Sequence, residues 1–376
     1  MIGFNHPYMT GAELENIKQA HKQKQLAGDG YFTKECEKWL NHYYFNSRTL
    51  ITNSCTASLE TTALLLDIKP GDEVIMPSYT FVSTANAFAL RGAIPRFVDI
   101  DQTTLNINPL KIKEQISAKT VAIVVVHYAG VACDMDRINE IGRTHNIPII
   151  EDAAQAFMAE YKGQKLGSIG SMGALSFHET KNIISGEGGA LIINDLNLIK
   201  RAEIIREKGT DRAQFFRGEV DKYSWRDIGS SYLPGEIITA FLYAQLEKAE
   251  WITKTRLKIW QEYLQKLKFL DDSPIDMPNP PEECKHNGHI FFLIMPSKKK
   301  RDEFIDYMRG KDIHCVFHYI PLHSSSFYKQ RFNTHIELPV TESISERIVR
   351  LPLWIGIEQH IDYICSNIQE WYTKNF

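Results

Sequence analysis

The feature that most restricts this chain is a series of short strands that are apolar at nearly every position, each followed by a helical pattern. "RTLITNS" runs into "CTASLETTALLLD", "DEVIMP" into "FVSTANAFALRG", and "IPRFVD" is followed by "NPLKIKEQI". "VAIVVVHYAG" then leads to "MDRINEIGRTH", and "IPIIEDAAQA" to a polar turn. A strand with one wet face alternates apolar and polar residues. Strands without that alternation are covered on both faces, and helices between them imply parallel βαβ units. The expected fold is therefore α/β, with a large, mainly parallel sheet. The strands end in polar or small residues, at Asn53–Ser54, Pro77–Ser78, His127–Tyr128 and Glu151–Asp152. Ligands of open α/β sheets sit beyond the carboxyl ends of the strands, so these termini mark the expected crevice.

From about Gly235 the pattern changes to one long helical stretch, "EIITAFLYAQLEKAEWITKTRLKIWQEYLQKLKF". It breaks at an acidic connection carrying Pro274, Pro278, Pro280 and Pro281. The tail reads strand, helix, strand, helix, helix. The expected organisation is a large α/β domain over 1–235, a long helix and connection over 236–284, and a small α+β domain over 285–376.

A chain of 376 residues, 43% hydrophobic, can bury a sizeable core. Its net charge of −3, with no basic stripe, argues against a nucleic-acid partner. No basic start followed by an apolar run opens the chain, so no signal peptide is expected, and "VAIVVV" is far too short to cross a bilayer. The six cysteines are scattered, which fits reduced thiols and a cytoplasmic setting. "CKHNGH" offers Cys284, His286 and His289, too few ligands at the usual spacing, so no metal is expected.

Two residues are chemically out of place. Asp152 ends an otherwise apolar strand, where a carboxylate is costly unless it meets a cation or donor; capping the following turn is the plainer role. Lys181 lies in "SFHETKN", between a strand and the glycine cluster "GEGGA". Desolvation there would lower its pKa and make the amine a usable nucleophile and base. An acid at one strand end and a lysine on a later turn suit a pyridinium cofactor, the acid holding the ring nitrogen and the lysine joining the aldehyde. "NSCTASLE" puts Ser54, Thr56 and Ser58 where a strand turns into a helix, a place suited to phosphate. Neither GxxxxGK[ST] nor a post-strand GxGxxG is present, which disfavours nucleoside triphosphate and dinucleotide readings.

In order along the chain, "PSYTFVSTANA", "VHYAGVACDMD", "EDAAQA", "SFHETKN", "GEGGA", "IGSSYL", "HYIPLH" and "RIVRLPL" together resemble the sugar aminotransferase family of fold type I pyridoxal-phosphate enzymes. "GDGYFTKECEKWL" and "FFRGEVDKYSWRDIGSSYL" resemble the branch that makes dTDP-4-amino-4,6-dideoxygalactose. The resemblance implies pyridoxal 5′-phosphate as cofactor, with pyridoxamine phosphate as its intermediate form. Lys181 would form the Schiff base and Asp152 would partner the pyridine nitrogen. Gln155 would lie near the ring hydroxyl, Phe81 would stack on the ring, and Cys55, Thr56 and Ser176 would contact the phosphate.

The amino donor implied is L-glutamate and the acceptor a dTDP-linked 4-keto-6-deoxyhexose, in a pathway to a cell-surface polysaccharide. Arg217, Lys222, Tyr319 and His323 are the expected substrate contacts. A homodimer with shared active sites is expected, in which the loop at Ser231 reaches the neighbouring phosphate. Many members have Asn and Arg in that loop where this chain has Ser231 and Leu233 ("GSSYLPG"). A related deoxysugar dehydratase carries histidine at the position of Lys181. Amination at C3, the gluco configuration at C4 and a non-catalytic pyridoxal-phosphate-binding protein stand as alternatives.

Overall fold

The computed structural model describes residues 1–332 and 336–376. Its strands are β1 (Arg48–Thr52), β2 (Glu73–Pro77), β3 (Ile94–Val98), β4 (Thr120–Val126), β5 (Ile149–Asp152), β6 (Glu160–Tyr161), β7 (Gln164–Lys165), β8 (Met172–Ser176), β9 (Gly189–Ile193), β10 (Cys284–Lys285), β11 (Phe291–Ile294) and β12 (Ile348–Leu351). Seven of them form one sheet in the order β1-β9-β8-β5-β4-β2-β3. Its pairings are parallel from β8 through β5, β4 and β2 to β3, while β9 runs antiparallel to both β8 and β1.

This is the α/β architecture that the apolar runs predict. In β4 every residue but Val121 is buried. Ile123 and Val125 enter one core with Ile149, Leu175 and Ile192. Ala122 and Val124 enter the other with Ile150, Ala174 and Leu191. The two-residue period of a strand thus feeds two cores, one on each face. Burying an Ile or Val side chain fully contributes about 1.5–3 kcal/mol, so covering both faces is what makes such strands stable.

The long helical stretch is two helices, Glu236–Glu247 and Ala249–Lys266, broken at Lys248. The break redirects the chain between cores. Leu242, Leu246, Ala249 and Ile252 pack under the large sheet, whereas Ile259, Trp260 and Tyr263 pack with Phe291, Phe304, Val349, Ile364 and Trp371.

That further core is built on the antiparallel pair β11–β12 and the helices Lys298–Gly310 and Ile361–Asn375. Among the described residues no strand follows Lys298–Gly310 directly, contrary to the expectation. Ile313 makes only an isolated bridge to Ile2, and Val316 one to Arg350, so β12 comes after the helix Pro339–Arg347 instead. The chain's first residues occupy the edge that such a strand would need: Ile2 N donates to Asp312 O, and His314 N to Ile2 O.

A smaller apolar cluster joins the two halves. Tyr79 and Tyr128, beyond the ends of β2 and β4, pack with Phe292, Ile294 and Ile348. Among the described residues, no helix is long and apolar enough to cross a membrane.

Candidate active site

Asp152 is the last residue of β5 and is buried. Its Oδ2 accepts from Thr84 Oγ1 at 2.7 Å and its Oδ1 from Ala154 N at 3.1 Å. Thr84 in turn shares a 2.7 Å hydrogen bond with Thr80. No cation lies within ion-pair distance of this carboxylate among the described residues. Burial therefore raises its pKa, against the opposing pull of the Thr84 hydroxyl, the Ala154 N–H and the charge of Lys181.

Lys181 sits on the loop joining β8 to β9. The loop closes on itself through Phe177 N to Gly188 O (2.8 Å), Ser185 N to Phe177 O (2.7 Å) and Glu179 N to Gly186 O (2.9 Å). Among the described residues the Lys181 amine has neither a hydrogen-bond acceptor nor an ion-pair partner. Burial lowers its pKa; the nearby Cys55 and Asp152 oppose that shift and the charge of Arg350 adds to it. The next residue is held firmly, with Asn182 Nδ2 donating to Asn287 O (2.9 Å) and Asn182 Oδ1 accepting from His289 Nδ1 (2.9 Å).

Cys55 and Thr56 open the helix Cys55–Leu65, whose N-cap Ser54 accepts from Ala57 N at 3.0 Å. The N–H groups of Cys55 and Thr56 have no acceptor among the described residues, so the positive end of the helix is open. Thr56 Oγ1 donates to Ser83 Oγ at 2.8 Å. Gly189, the first residue of β9, explains the closeness of strand and helix: a Cβ there would lie 2.4 Å from Cys55 N. Ser176, paired with Gly189 at the end of β8, is buried and accepts from His178 N at 3.4 Å.

Gln155 and Tyr319 form one wall. Gln155 Oε1 accepts from Ala129 N (2.7 Å), and its Nε2 donates to the Tyr319 hydroxyl (2.8 Å). The Phe81 ring, at the N-cap of Val82–Ala89, lies 6.4 Å from that of Tyr319 and is 57% exposed despite its apolar character.

The other expected residues lie differently. Ser231 is exposed, and its carbonyl accepts from Asn53 Nδ2 at 3.1 Å. Leu233 packs on Gly28, where a Cβ would stand 2.5 Å from the leucine Cγ. Arg217 is occupied by Glu203 (2.9 Å) and Glu219 (2.7 Å). Lys222 is exposed and without an ion pair among the described residues. His323 is buried with both ring nitrogens engaged, Nδ1 with Ser78 Oγ (2.7 Å) and Nε2 with Glu342 (3.0 Å).

Some neighbours escaped the sequence reading. Thr84 belongs to the small-residue helix "VSTANAFA", where nothing marks one hydroxyl over another. Glu151 is fully buried and accepts from His127 Nε2 (2.9 Å) and from the N–H groups of Gly167, Ile169 and Gly170. Because Cys133 N donates to His127 Nδ1, the proton of that imidazole is on Nε2. Arg350 did have a visible signal, a single cation inside the apolar run "IVRLPL".

Comparison with known proteins extends these observations to the whole chain. An uncharacterized protein of Methanocaldococcus jannaschii, MJ1066, is 35% identical over 329 residues, 86% of this chain and 85% of that one. The crystal structure of the aminotransferase TlmJ from Streptoalloteichus hindustanus superposes with a TM-score of 0.91 at 26% identity, covering 100% of both chains. Spr1654 of Streptococcus pneumoniae in its PMP form gives 0.90 at 26% identity, again over 100% of both chains, and its PLP form gives 0.89. The model of the DegT/DnrJ/EryC1/StrS aminotransferase family matches residues 7–369. The span of that match includes every strand described above, so the fold is fold type I and the chain belongs to the DegT/DnrJ/EryC1/StrS aminotransferase family.

Proposed function

We propose that this chain moves the amino group of L-glutamate to the 4-keto group of dTDP-4-dehydro-6-deoxy-D-glucose, giving dTDP-4-amino-4,6-dideoxy-D-galactose and 2-oxoglutarate. As a member of a sugar aminotransferase family it uses pyridoxal 5′-phosphate. The observation that carries the reading is Lys181, an amine without a hydrogen-bond or ion-pair partner among the described residues, whose charge and that of the buried Asp152 act on each other. The donor and sugar rest on the resemblance of residues 28–40 and 215–233 to one branch of the family.

The groups gathered here fit the cofactor part by part. Lys181 suits its aldehyde, Asp152 its ring nitrogen, and the open N–H groups of Cys55 and Thr56, with Ser176, its phosphate. The bare Phe81 ring suits one face of the pyridine, and Gln155 its hydroxyl. Once bound, the group supplies the electron sink that makes the donor Cα acidic.

Asp152 holds a proton on the ring nitrogen, and burial strengthens that charged contact. Lys181 Nζ takes the proton from the donor Cα and, in the second half of the reaction, gives a proton to the sugar carbon that receives nitrogen. Its lowered pKa keeps a larger share of the amine neutral near physiological pH. Tyr319 borders the sugar pocket. Arg217, Lys222 and His323 belong to the reading only if the nucleotide displaces their present partners or surroundings. A homodimer in which Ser231 serves the neighbouring site completes it.

The test is direct. Protein loaded with the cofactor and treated with borohydride should carry a pyridoxyl label on the peptide containing Lys181, and Lys181→Ala should lose both label and transamination. NMR of the sugar product then reads position and configuration. A C3-amino or gluco product would replace the assigned substrate chemistry, and an unlabelled Lys181 would end the reading.

A further inference from the structure

The run "HNGH" is too poor in ligands for a metal, but several parts of the site meet there. Asn287, Gly288 and His289 are buried and lead into β11. Asn287 Nδ2 donates to Gln155 O (2.9 Å) and Phe157 O (2.8 Å), in the segment that follows Asp152. Gly130 makes room for it, since a Cβ there would stand 2.0 Å from Asn287 Oδ1. Arg256, on the helix Ala249–Lys266, gives Nε to Gly288 O (3.2 Å) and Nη2 to His289 O (2.7 Å). His289 itself meets Asn182, the residue after Lys181.

The Asn182 amide fixes the direction of that contact. Its Nδ2 donates to Asn287 O at 2.9 Å, and a carbonyl can only accept, so Oδ1 is the atom at His289 Nδ1, 2.9 Å away. The imidazole proton is therefore on Nδ1, and Nε2 is a bare acceptor. Burial, with the charges of Lys181, Arg256 and Arg350, pushes the His289 pKa well below the ordinary histidine range and keeps the ring neutral. His127 and His323, also buried, engage both ring nitrogens. His289 Nε2 has no partner among the described residues.

The Lys181 amine makes no bond of its own among the described residues, so its place is inherited from its backbone. Consecutive Cα atoms lie about 3.8 Å apart, and a fixed Asn182 leaves Lys181 little freedom short of its side-chain torsions. We infer that His289 is a positioning residue for transamination: through Asn182 it holds the Lys181 backbone where the amine reaches both cofactor and donor. The inference rests on the reading of Lys181 given above. A shift of about 1 Å in a reacting group can cost about 100-fold in rate, so such a clamp acts without touching substrate.

The test compares His289→Leu, which removes the donor, with His289→Asn, whose amide can still donate to Asn182. In cofactor-free protein, the rate at which Lys181 forms a borohydride-reducible adduct with pyridoxal 5′-phosphate should fall about tenfold in His289→Leu, and kcat of the loaded enzyme about 10- to 100-fold. The pH at which the bound cofactor's visible band changes should move as well. His289→Asn should recover most of each loss, with the KM for glutamate and for the ketosugar staying within about threefold. Adding Asn182→Leu to His289→Leu should cost little more, because both break one bond. A lower denaturation midpoint with unchanged rates would overturn the inference, leaving a purely structural contact. So would a raised KM at constant kcat, which would put the histidine on substrate. An equal loss in both His289 variants would overturn it too, because the lysine would then need the Nε2 lone pair. If His289→Leu does not fold, Asn182→Ala opens the same bond from the loop side and is read in the same way. A wild-type protein that takes no label ends the Lys181 reading itself; label in the wild type with unaltered variants ends only the present inference.

Discussion

Asp152 and Lys181 are perturbed in opposite directions by the same burial, and each shift has a consequence for the cofactor-free chain. The Asp152 pKa is raised, so between the ordinary aspartate range and its folded value the native state holds a proton that the unfolded chain has lost. Stability therefore falls as pH rises through that window. Lys181 is lowered, so between its folded value and the ordinary lysine range the unfolded chain holds the extra proton, and stability rises with pH there. Asp152→Asn should abolish the acid-side fall in denaturant melts of the apoprotein while weakening pyridoxal-phosphate binding at least about tenfold. An unaltered pH profile would mean that the carboxyl is not perturbed as described. Asp152 stood out in the sequence as a carboxylate ending an apolar run, and Lys181 as a lysine set between a polar turn and a glycine cluster. Thr84 and the Glu151–His127 pair did not, because hydroxyls and acids become distinctive only when the fold brings their partners together.

At the level of elements, the strands were legible because covering both faces leaves a continuous apolar run. The break at Lys248 was not, since Leu242, Leu246, Ala249 and Ile252 keep helical spacing across it and only the change of core reveals it. The meeting of β9 with the helix Cys55–Leu65 depends on one missing side chain. Gly189→Ala would drive a Cβ to 2.4 Å from Cys55 N, a backbone atom that cannot step aside. A cost of about 1–3 kcal/mol is expected, read as a lower denaturation midpoint, together with weaker phosphate binding. A variant of wild-type stability would show that the strand and helix can separate freely.

For the molecule as a whole, the first residues form a strap across the C-terminal half. Ile2 pairs with Ile313, Gly3 O accepts from Trp354 Nε1 at 3.0 Å, and the Phe4 ring lies under Arg350. No pattern in "MIGFNHPY" reveals this, because each partner lies near the far end of the sequence. Phe4→Ala should speed hydrogen exchange around 313–317 and lower the denaturation midpoint, because the first residues would hold that edge less firmly. Unmoved exchange would show that the edge stands without the strap.

The reversed direction of β9 carries a last implication. The chain leaves β8 and enters β9 at the same rim, so the segment bearing Lys181 is tethered at both feet, by the Ser176–Gly189 pair, within a dozen residues. A helical crossover would have tied only one foot there. An arch of this kind can pivot about its two posts but cannot drift along the rim, so the amine can swing between partners without losing its address.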